Sequence, residues 1–198
     1  MATPGPRSAR LLQNISEDLA NDLASIPYAS ASVVVTAYRR DQIAHPLNGF
    51  GFVVPFVEKR KILASSFASV KFSGRAPDDC VLLRTFVGGA CQPEFAELPD
   101  EELVALVRNE LGEIIGASGS PMLTRIARWR GAMPQYHVGH LELVRRISDQ
   151  ANRLPNFELA GNAYDGVGIP FCVRSGEQAA ERLLGISSED DRDNVNRS

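Results

Sequence analysis

The sequence predicts an α+β fold in which an antiparallel sheet with helices is followed by a strand–loop–helix unit of the α/β kind. Runs of β-branched and apolar residues follow one another through short links over residues 30–87, which is typical of antiparallel pairing. Apolar residues recur at helical spacing over residues 99–115 and 140–153. Near the C-terminus, three glycines lie between a short apolar run and a proline that suits the first turn of a helix.

The composition limits the classes of protein to which the chain can belong. Its 198 residues, 44% of them hydrophobic, fit one ordinary domain or two small ones. A net charge of −3 without a basic stripe predicts no nucleic-acid partner. Cys80, Cys91 and Cys172 are too widely separated for a disulfide framework or a zinc site, and this fits the cytoplasm. No apolar run approaches the roughly 18–20 residues of a transmembrane helix, which leaves peripheral membrane contact open.

The first half of the chain predicts one helix and four strands. Leu11, Ile15, Leu19 and Leu23 recur every four residues and predict a single amphipathic helix over residues 7–26. The four strands that follow are predicted over residues 30–38, 50–57, 62–70 and 80–87.

The second half predicts helices on either side of one strand, and then the glycine loop. Acidic residues 100–102 start a helix, because carboxylates are favourable at its positive end. A strand over residues 122–129, a turn at 133–135 and a helix over 140–153 follow. A short strand over residues 157–160 leads into the glycines and the last helix. Residues 186–198 are acidic, lack an apolar stripe and are predicted to be disordered.

The glycine loop predicts a binding site for an anion or an electron-rich carbonyl group. Glycine lets the backbone bend sharply and approach a ligand closely. The free N–H groups at a helix N-terminus add positive potential. An ordinary strand-to-helix turn is the alternative, and the pattern alone names no ligand.

Three stretches together resemble one family. They are NGFGFVVP (residues 48–55), the segment from Trp129 through MPQYHVGH (residues 133–140), and LAGNAYDGVGIP (residues 159–170). In this order they resemble the C-terminal portion of the FAD-dependent protoporphyrinogen/coproporphyrinogen oxidases, within the flavin amine oxidase superfamily. The resemblance implies an FAD-binding domain whose N-terminal Rossmann part is missing, and residues 1–198 contain no G-x-G-x-x-G fingerprint. The sequence would then begin inside a longer protein.

The resemblance also implies a division of the chain and a reaction. Residues 1–5 would end an FAD-domain strand, 6–125 form the substrate-binding region, 126–185 form the flavin-end segment and 186–198 the tail. The enzyme would oxidise protoporphyrinogen IX or coproporphyrinogen III to the porphyrin in haem biosynthesis, passing electrons through FAD to oxygen. No side chain is expected to act as a catalytic acid or base, and the isolated chain is expected to be inactive. A homodimer stays open.

Site residues follow from the same resemblance. The substrate pocket would comprise Phe50, Gly51, Val53 and Phe86, and the cofactor site would comprise Trp129, Gly161, Gly166, Val167, Gly168 and Ile169. Without the resemblance, the aromatic and aliphatic members would be interpreted as core residues, as strand aromatics usually are. Phe171 stands where many relatives carry a polar residue, so a side-chain contact there is in doubt.

Other functions stay open from the residues alone. An amine-oxidase-like or carotenoid-desaturase-like flavoprotein shares the expected fold, and a non-catalytic remnant would bind no FAD. His137 and His140 are three residues apart, but no acidic or cysteine ligand motif accompanies them, so no metal is predicted. Arg125, Arg128 and Arg130 could meet substrate propionates, although a solvated strand face explains most of them.

Overall fold

The computed structural model describes residues 1–186 and divides them into two compact units. The helical unit comprises residues 1–28 and 134–186 of the described chain, and the sheet unit comprises Ala29–Met133. The predicted tail, apart from Ile186, lies outside the described residues. The predicted boundaries near residues 5 and 125 separate segments by their expected functions rather than by compactness, and that functional division stays a prediction.

The described residues contain six α-helices and five strands. The helices are α1 Gly5–Leu12, α2 Glu17–Ser25, α3 Ala68–Lys71, α4 Asp100–Ile115, α5 His140–Ala151 and α6 Ile169–Leu184. The strands are β1 Tyr28–Arg39, β2 Gly51–Val53, β3 Ala64–Phe67, β4 Cys80–Gly88 and β5 Leu123–Pro134.

The strands form one sheet in the order β2-β3-β4-β1-β5. β2 pairs with β3, β3 with β4 and β4 with β1, each antiparallel. One row of paired residues runs from Val53 through Ala64 and Phe86 to Val33. Residues directly opposite each other in a sheet point to the same side, so this row fixes which side chains share a face.

Helix α4 covers one face of the sheet. Its first turn is acidic, and it ends at Gly116, whose φ of 64° is the left-handed conformation that glycine adopts readily. Its buried side chains are Leu103, Val107, Leu111 and Ile115. They join Val34, Leu83 and other strand residues in one hydrophobic core. Burying each such leucine or isoleucine contributes about 1.5–3 kcal/mol.

The helical unit has its own core, and here the prediction of one long first helix is wrong. The chain leaves helix α1 after Leu12, and Ser16 adopts an extended conformation before α2 begins. Serine followed by two acidic residues is a helix start signal, and it interrupts the four-residue repeat. Leu11 and Ile15, predicted to be buried, are 56% and 66% exposed. Leu19 and Leu23 are buried as predicted, and they share the core with further apolar residues: Ala9, Leu12, Ile26, Ile147 and Tyr164.

Several predicted strands differ from the observed ones in extent. The predicted strand over residues 50–57 is reduced to Gly51–Val53, because Pro55 has no N–H to pair and a 3₁₀ helix, Phe56–Glu58, follows. The third strand ends at Phe67, where α3 begins. The last strand continues through the turn predicted at residues 133–135 as far as Pro134.

The predicted strand over residues 157–160 is not a ladder strand in the described chain, although its backbone pairs with the N-terminus. The N–H of Ala160 donates to the carbonyl of Met1 over 3.0 Å, and the amino group of Met1 donates to the carbonyl of Glu158. Two hydrogen bonds to one residue are fewer than a strand ladder has. The predicted architecture of an antiparallel sheet with helices and a C-terminal loop–helix is confirmed.

Candidate functional site

The glycine loop, residues 161–168, is tied to helix α6 at its first residue. Gly161 has a φ of 140°, and its N–H donates to the hydroxyl oxygen of Ser175 over 3.1 Å. Ser175 is buried on α6. This contact holds the start of the loop against the middle of the helix that the loop enters.

Tyr136 holds the same loop through a hydrogen bond to its second residue, Asn162. Its hydroxyl donates to the carbonyl oxygen of Asn162 over 2.6 Å. Its ring stacks on the buried His140 with 4.1 Å between ring centroids and 12° between planes. Burial raises the pKa of Tyr136, and a backbone hydrogen bond with Gly166 acts in the opposite direction. The phenol therefore stays protonated at neutral pH and can donate to the loop.

The N-terminus of α6 is open. Gly168 precedes the helix in an extended conformation, no side chain caps this end, and Pro170 lies in the first turn. Val167 and Ile169 are 61% and 80% exposed. The first-turn N–H groups and the helix dipole therefore place positive potential at an accessible surface.

Phe171 explains why two of the loop positions are glycine. A Cβ added at Gly166 would lie 2.9 Å from the ring of Phe171, and one added at Gly168 would lie 3.1 Å from it. Gly166 also has a φ of 150°. At Gly161 the corresponding space is empty within 4 Å. The ring of Phe171, and not a ligand, therefore approaches the backbone closely at Gly166 and Gly168. At Gly161 there is free space beside the loop.

In the sheet unit, the face opposite α4 is accessible. We call it the open face, and its accessible residues are Val35, Gly51, Val53, Ala64, Ser66, Leu82, Arg84, Phe86, Arg125 and Trp129; Val33, opposite Phe86 on the same side, is buried. The accessible residues are all half-buried or exposed. Their strand neighbours Val34, Ser65, Leu83 and Thr85 are at most 1% exposed on the covered face. The alternation of side chains along each strand separates the two sets.

Three of the four predicted substrate residues lie on the open face. Val53 is 79% exposed, and Phe86 is half-buried in the same row of paired residues. Gly51 has a φ of 143°, and a Cβ there would lie 2.2 Å from the carbonyl oxygen of Ser65. The neighbouring strand, rather than open space, therefore requires this glycine. Phe50 precedes β2 and is 68% exposed, so neither it nor Val53 is a core residue in this chain.

Trp129 shares the open face with the substrate residues. Ile126 packs against the core beneath α4, so alternation places Trp129, three residues further along β5, on the opposite face. It is 57% exposed. The other five predicted cofactor residues belong to the helical unit.

The arginines of β5 divide into different environments. Arg128 donates to the carbonyl oxygens of Ala96 and Leu98, each over 2.7 Å, and pairs with Asp100. Arg130 pairs with Glu97 over 3.0 Å. Both are engaged in holding the segment before α4, whereas Arg125 is exposed on the open face.

Sequence reasoning missed two groups of residues in these sites. The contacts of Tyr136 with Asn162 and of Ser175 with Gly161 join positions that are distant in the chain, and no local pattern marks them. Arg84 could have been found, because strand alternation places it on the same face as the predicted pocket residue Phe86. Metal binding receives no structural support: within residues 1–186, no three His, Cys, Asp or Glu side chains are grouped as a metal site requires.

Comparison with known proteins places this arrangement in a family. The family model described as flavin containing amine oxidoreductase matches residues 1–184. The chain belongs to this family. The flavin cofactor predicted from the sequence, FAD, is thereby confirmed, as is the resemblance to the flavin amine oxidase superfamily.

The curated relatives of the chain include porphyrinogen oxidases. Coproporphyrinogen III oxidase of Propionibacterium freudenreichii subsp. freudenreichii is 35% identical over 89% of this chain and 33% of its own length. Protoporphyrinogen oxidase 2 of Arabidopsis thaliana is 32% identical over 83% of this chain and 33% of its own length. The chain therefore spans about a third of the length of these relatives.

A solved structure gives the same fold. A crystal structure from Exiguobacterium sp. 255-15, provisionally assigned as a protoporphyrinogen oxidase, superposes with a TM-score of 0.79 at 30% identity. The match covers 93% of this chain and 40% of that one. Across residues 1–186, every helix of this family member is too short or too polar to cross a lipid bilayer.

Proposed function

We propose that the chain forms the substrate face and the flavin end of an enzyme that oxidises a porphyrinogen, protoporphyrinogen IX or coproporphyrinogen III, in haem biosynthesis with FAD and oxygen. The observation that carries the proposal is the open face. Val53, Phe86 and Trp129 lie on one accessible side of the sheet, and relatives 35% and 32% identical are named porphyrinogen oxidases.

The open face suits a broad, apolar macrocycle. Aromatic rings supply large contact areas with little loss of conformational entropy, and Phe86 and Trp129 are the two on this face. Val53 adds an exposed aliphatic surface. A tetrapyrrole lying over these side chains would remove them from water, which contributes about 25 cal/mol per Å² of apolar surface.

The glycine loop and the start of α6 fit the electron-rich edge of an isoalloxazine ring. When bound, FAD supplies the acceptor for a hydride taken from the porphyrinogen. The backbone N–H groups at residues 166–169 would stabilise the negative charge that then develops on the ring. Ser175 and Tyr136 hold this loop in place through Gly161 and Asn162. The chain's contribution is thus orientation and electrostatics, without an acid or base on a side chain.

The test supplies the rest of the enzyme from a relative. Because the chain spans about a third of the Propionibacterium coproporphyrinogen III oxidase, the other two thirds of that protein can be fused ahead of residue 1. We expect the purified chimera to carry flavin and to convert coproporphyrinogen III into fluorescent porphyrin faster than autoxidation does. A flavin-loaded chimera that forms peroxide from amines and leaves porphyrinogens unchanged would favour the amine-oxidase alternative. A soluble chimera without flavin would favour the remnant.

A second comparison in the chimera tests the loop itself. Gly168→Val is expected to lower flavin content, but the added side chain also meets Phe171. The double variant Gly168→Val with Phe171→Ala removes that internal clash. Flavin loss that persists in the double variant supports contact between the loop and the ring, whereas full recovery assigns the loss to packing.

Location belongs to the same proposal. All three cysteines are free thiols, which supports a reducing compartment such as the cytoplasm. Neither a membrane contact nor a second copy of the chain is needed for the proposed roles of the open face and the glycine loop.

A further inference from the structure

The strands of this protein carry charge of one sign. The chain as a whole has a net charge of −3. Within residues 1–186, however, the five strands contain five arginines and no Asp, Glu or Lys. These arginines are Arg39, Arg84, Arg125, Arg128 and Arg130. A cationic sheet in an acidic protein favours an anionic ligand.

Three of the five arginines already have carboxylate partners. Arg39 pairs with Asp79 over 3.3 Å, Arg130 with Glu97 over 3.0 Å, and Arg128 with Asp100. Among residues 1–186, no carboxylate lies within ion-pair distance of Arg84 or Arg125. Both of these arginines belong to the open face and are exposed. The positive charge without a partner therefore coincides with the proposed substrate surface.

Arg84 is placed beside the aromatic centre of that surface. Its guanidinium carbon lies 5.6 Å from the centroid of the Phe86 ring. In register, Arg84 is opposite Ser66 and Val35, one same-face position along β4 from Phe86. Stacking on an aromatic ring orients the planar guanidinium while its N–H groups stay free to bind a carboxylate.

We propose that Arg84 binds a carboxylate of the tetrapyrrole that lies over Phe86 and Trp129, and that Arg125 binds a second one. This inference rests on the proposed function. Strand β1 separates β4 from β5, so the two arginines stand on strands about 10 Å apart. A tetracarboxylate tetrapyrrole bears a carboxylate on every ring and can meet both arginines in several orientations, whereas a dicarboxylate bears its two on adjacent rings and can do so in fewer. The pair therefore favours coproporphyrinogen-type substrates.

The single tryptophan of the chain provides the measurement. Trp129 is on the open face, and porphyrins absorb where tryptophan emits, so binding of a porphyrin quenches its fluorescence. The 198-residue chain is titrated with coproporphyrin III, with protoporphyrin IX and with a tetracationic methylpyridyl porphyrin that has no carboxylate. We expect coproporphyrin III to bind most tightly and its affinity to fall as salt is raised.

Substitution then isolates Arg84. Arg84→Gln should weaken coproporphyrin III binding about tenfold without weakening binding of the cationic porphyrin. Arg84→Lys should recover part of the loss. Arg75→Gln is the matched control, because Arg75 makes the same contact with Phe72, also 5.6 Å from its ring centroid, on the loop before β4. It should bind like the unmodified chain.

The outcomes separate this inference from the proposed function. Equal coproporphyrin III binding by the Arg84→Gln variant and the unmodified chain would overturn the role of Arg84 and leave the substrate face standing. If Arg75→Gln loses as much coproporphyrin III affinity as Arg84→Gln, the effect is one of net charge, and the role of Arg84 is overturned as well. If no porphyrin quenches Trp129 in a folded chain, as shown by circular dichroism, the substrate face itself is wrong.

Discussion

The hydroxyl of Tyr136 reaches the carbonyl oxygen of Asn162 over 2.6 Å, and the opposite side of the tyrosine is supported by the stacked ring of His140. The chain that follows β5 is thereby fastened to the glycine loop 26 residues further on. Because Asn162 is the second residue of that loop, the position of the loop depends on a residue outside it. His140 is buried, and its Nε2 has no hydrogen-bond partner within residues 1–186, so its contribution here is the stack.

Replacing Tyr136 by phenylalanine should destabilise the protein slightly. The variant keeps the stack on His140 and loses one hydrogen bond, which is worth about 0.5–1.5 kcal/mol. In a chain of this size the melting temperature should fall by about 2–4 °C per kcal/mol. Tyr164→Phe is the control, since within residues 1–186 the hydroxyl of Tyr164 makes no hydrogen bond that the structure shows. A melting temperature that falls equally in both variants would show that the bond to Asn162 has no role of its own.

Gly51 should tolerate substitution far less well than Gly49. A methyl group at Gly51 would meet the backbone of Ser65, and its φ of 143° is a conformation that other residues rarely adopt. Gly51→Ala should therefore lower the free energy of unfolding by about 1–3 kcal/mol through the β2–β3 pairing. At Gly49 an added methyl group meets nothing within 4 Å. Urea denaturation of the two alanine variants gives the comparison, and equal stabilities would contradict the required close approach.

The sheet was predictable because its signals are local. Val33, Val34 and Val35 mark β1, and the apolar positions of α4 recur at helical spacing, so both elements occur where they were predicted. The prediction of one long first helix was wrong because Ser16 starts a new helix inside an apolar repeat that continues past it. The repeat is a longer signal than a single serine, so the pattern alone favoured one helix. The second strand was predicted too long because the apolar pair Phe56 and Val57 follows a proline that ends the ladder.

Alkaline pH should destabilise the fold. The pKa of each of the four tyrosines is raised above its ordinary value, in every case mainly by burial. A raised pKa in the folded state means that the unfolded chain releases these protons first. The stabilisation is therefore fully present below about pH 10, the ordinary tyrosine pKa, and is lost as pH rises through the folded-state values. Melting temperatures measured from pH 8 upward, with tyrosinate absorbance recorded in parallel, should show this decline. A constant melting temperature while tyrosinate forms would contradict it.

The sites could be predicted only in part. The resemblance to a family identified the glycine loop and the strand residues, but the grouping of Gly51, Val53, Phe86 and Trp129 on one face depends on strand register, which no local pattern sets. The same register brings Arg84 onto that face, and alternation along β5 places Arg128 on the other face, where it donates to the carbonyl oxygen of Ala96. Side-chain alternation indicates two faces for each strand, and only the packing of α4 decides which face is covered.

Val53 and Val34 should respond in opposite ways to truncation. Val53 is 79% exposed on the open face, whereas Val34 is 0% exposed beneath α4. Val53→Ala should change the free energy of unfolding by less than about 0.5 kcal/mol and weaken porphyrin binding measured by Trp129 quenching. Val34→Ala should lower stability by about 1–3 kcal/mol, because it leaves a cavity in the core. A Val53→Ala variant that loses stability but binds porphyrin normally would make this residue part of the packing instead of the pocket.

The 198-residue chain expressed alone should purify without FAD and without porphyrinogen oxidase activity. Residues 1–198 contain no G-x-G-x-x-G fingerprint, the element that usually holds the pyrophosphate of a dinucleotide at a helix N-terminus. The open end of α6 offers a few backbone hydrogen bonds, each contributing about 0.5–1.5 kcal/mol. Micromolar retention requires about 8 kcal/mol, which these bonds do not reach. Visible flavin absorbance of the purified chain, compared with that of the chimera, measures the difference. A yellow chain with stoichiometric flavin would show that residues of this chain hold the pyrophosphate, and that the glycine loop is more than the site for the flavin ring.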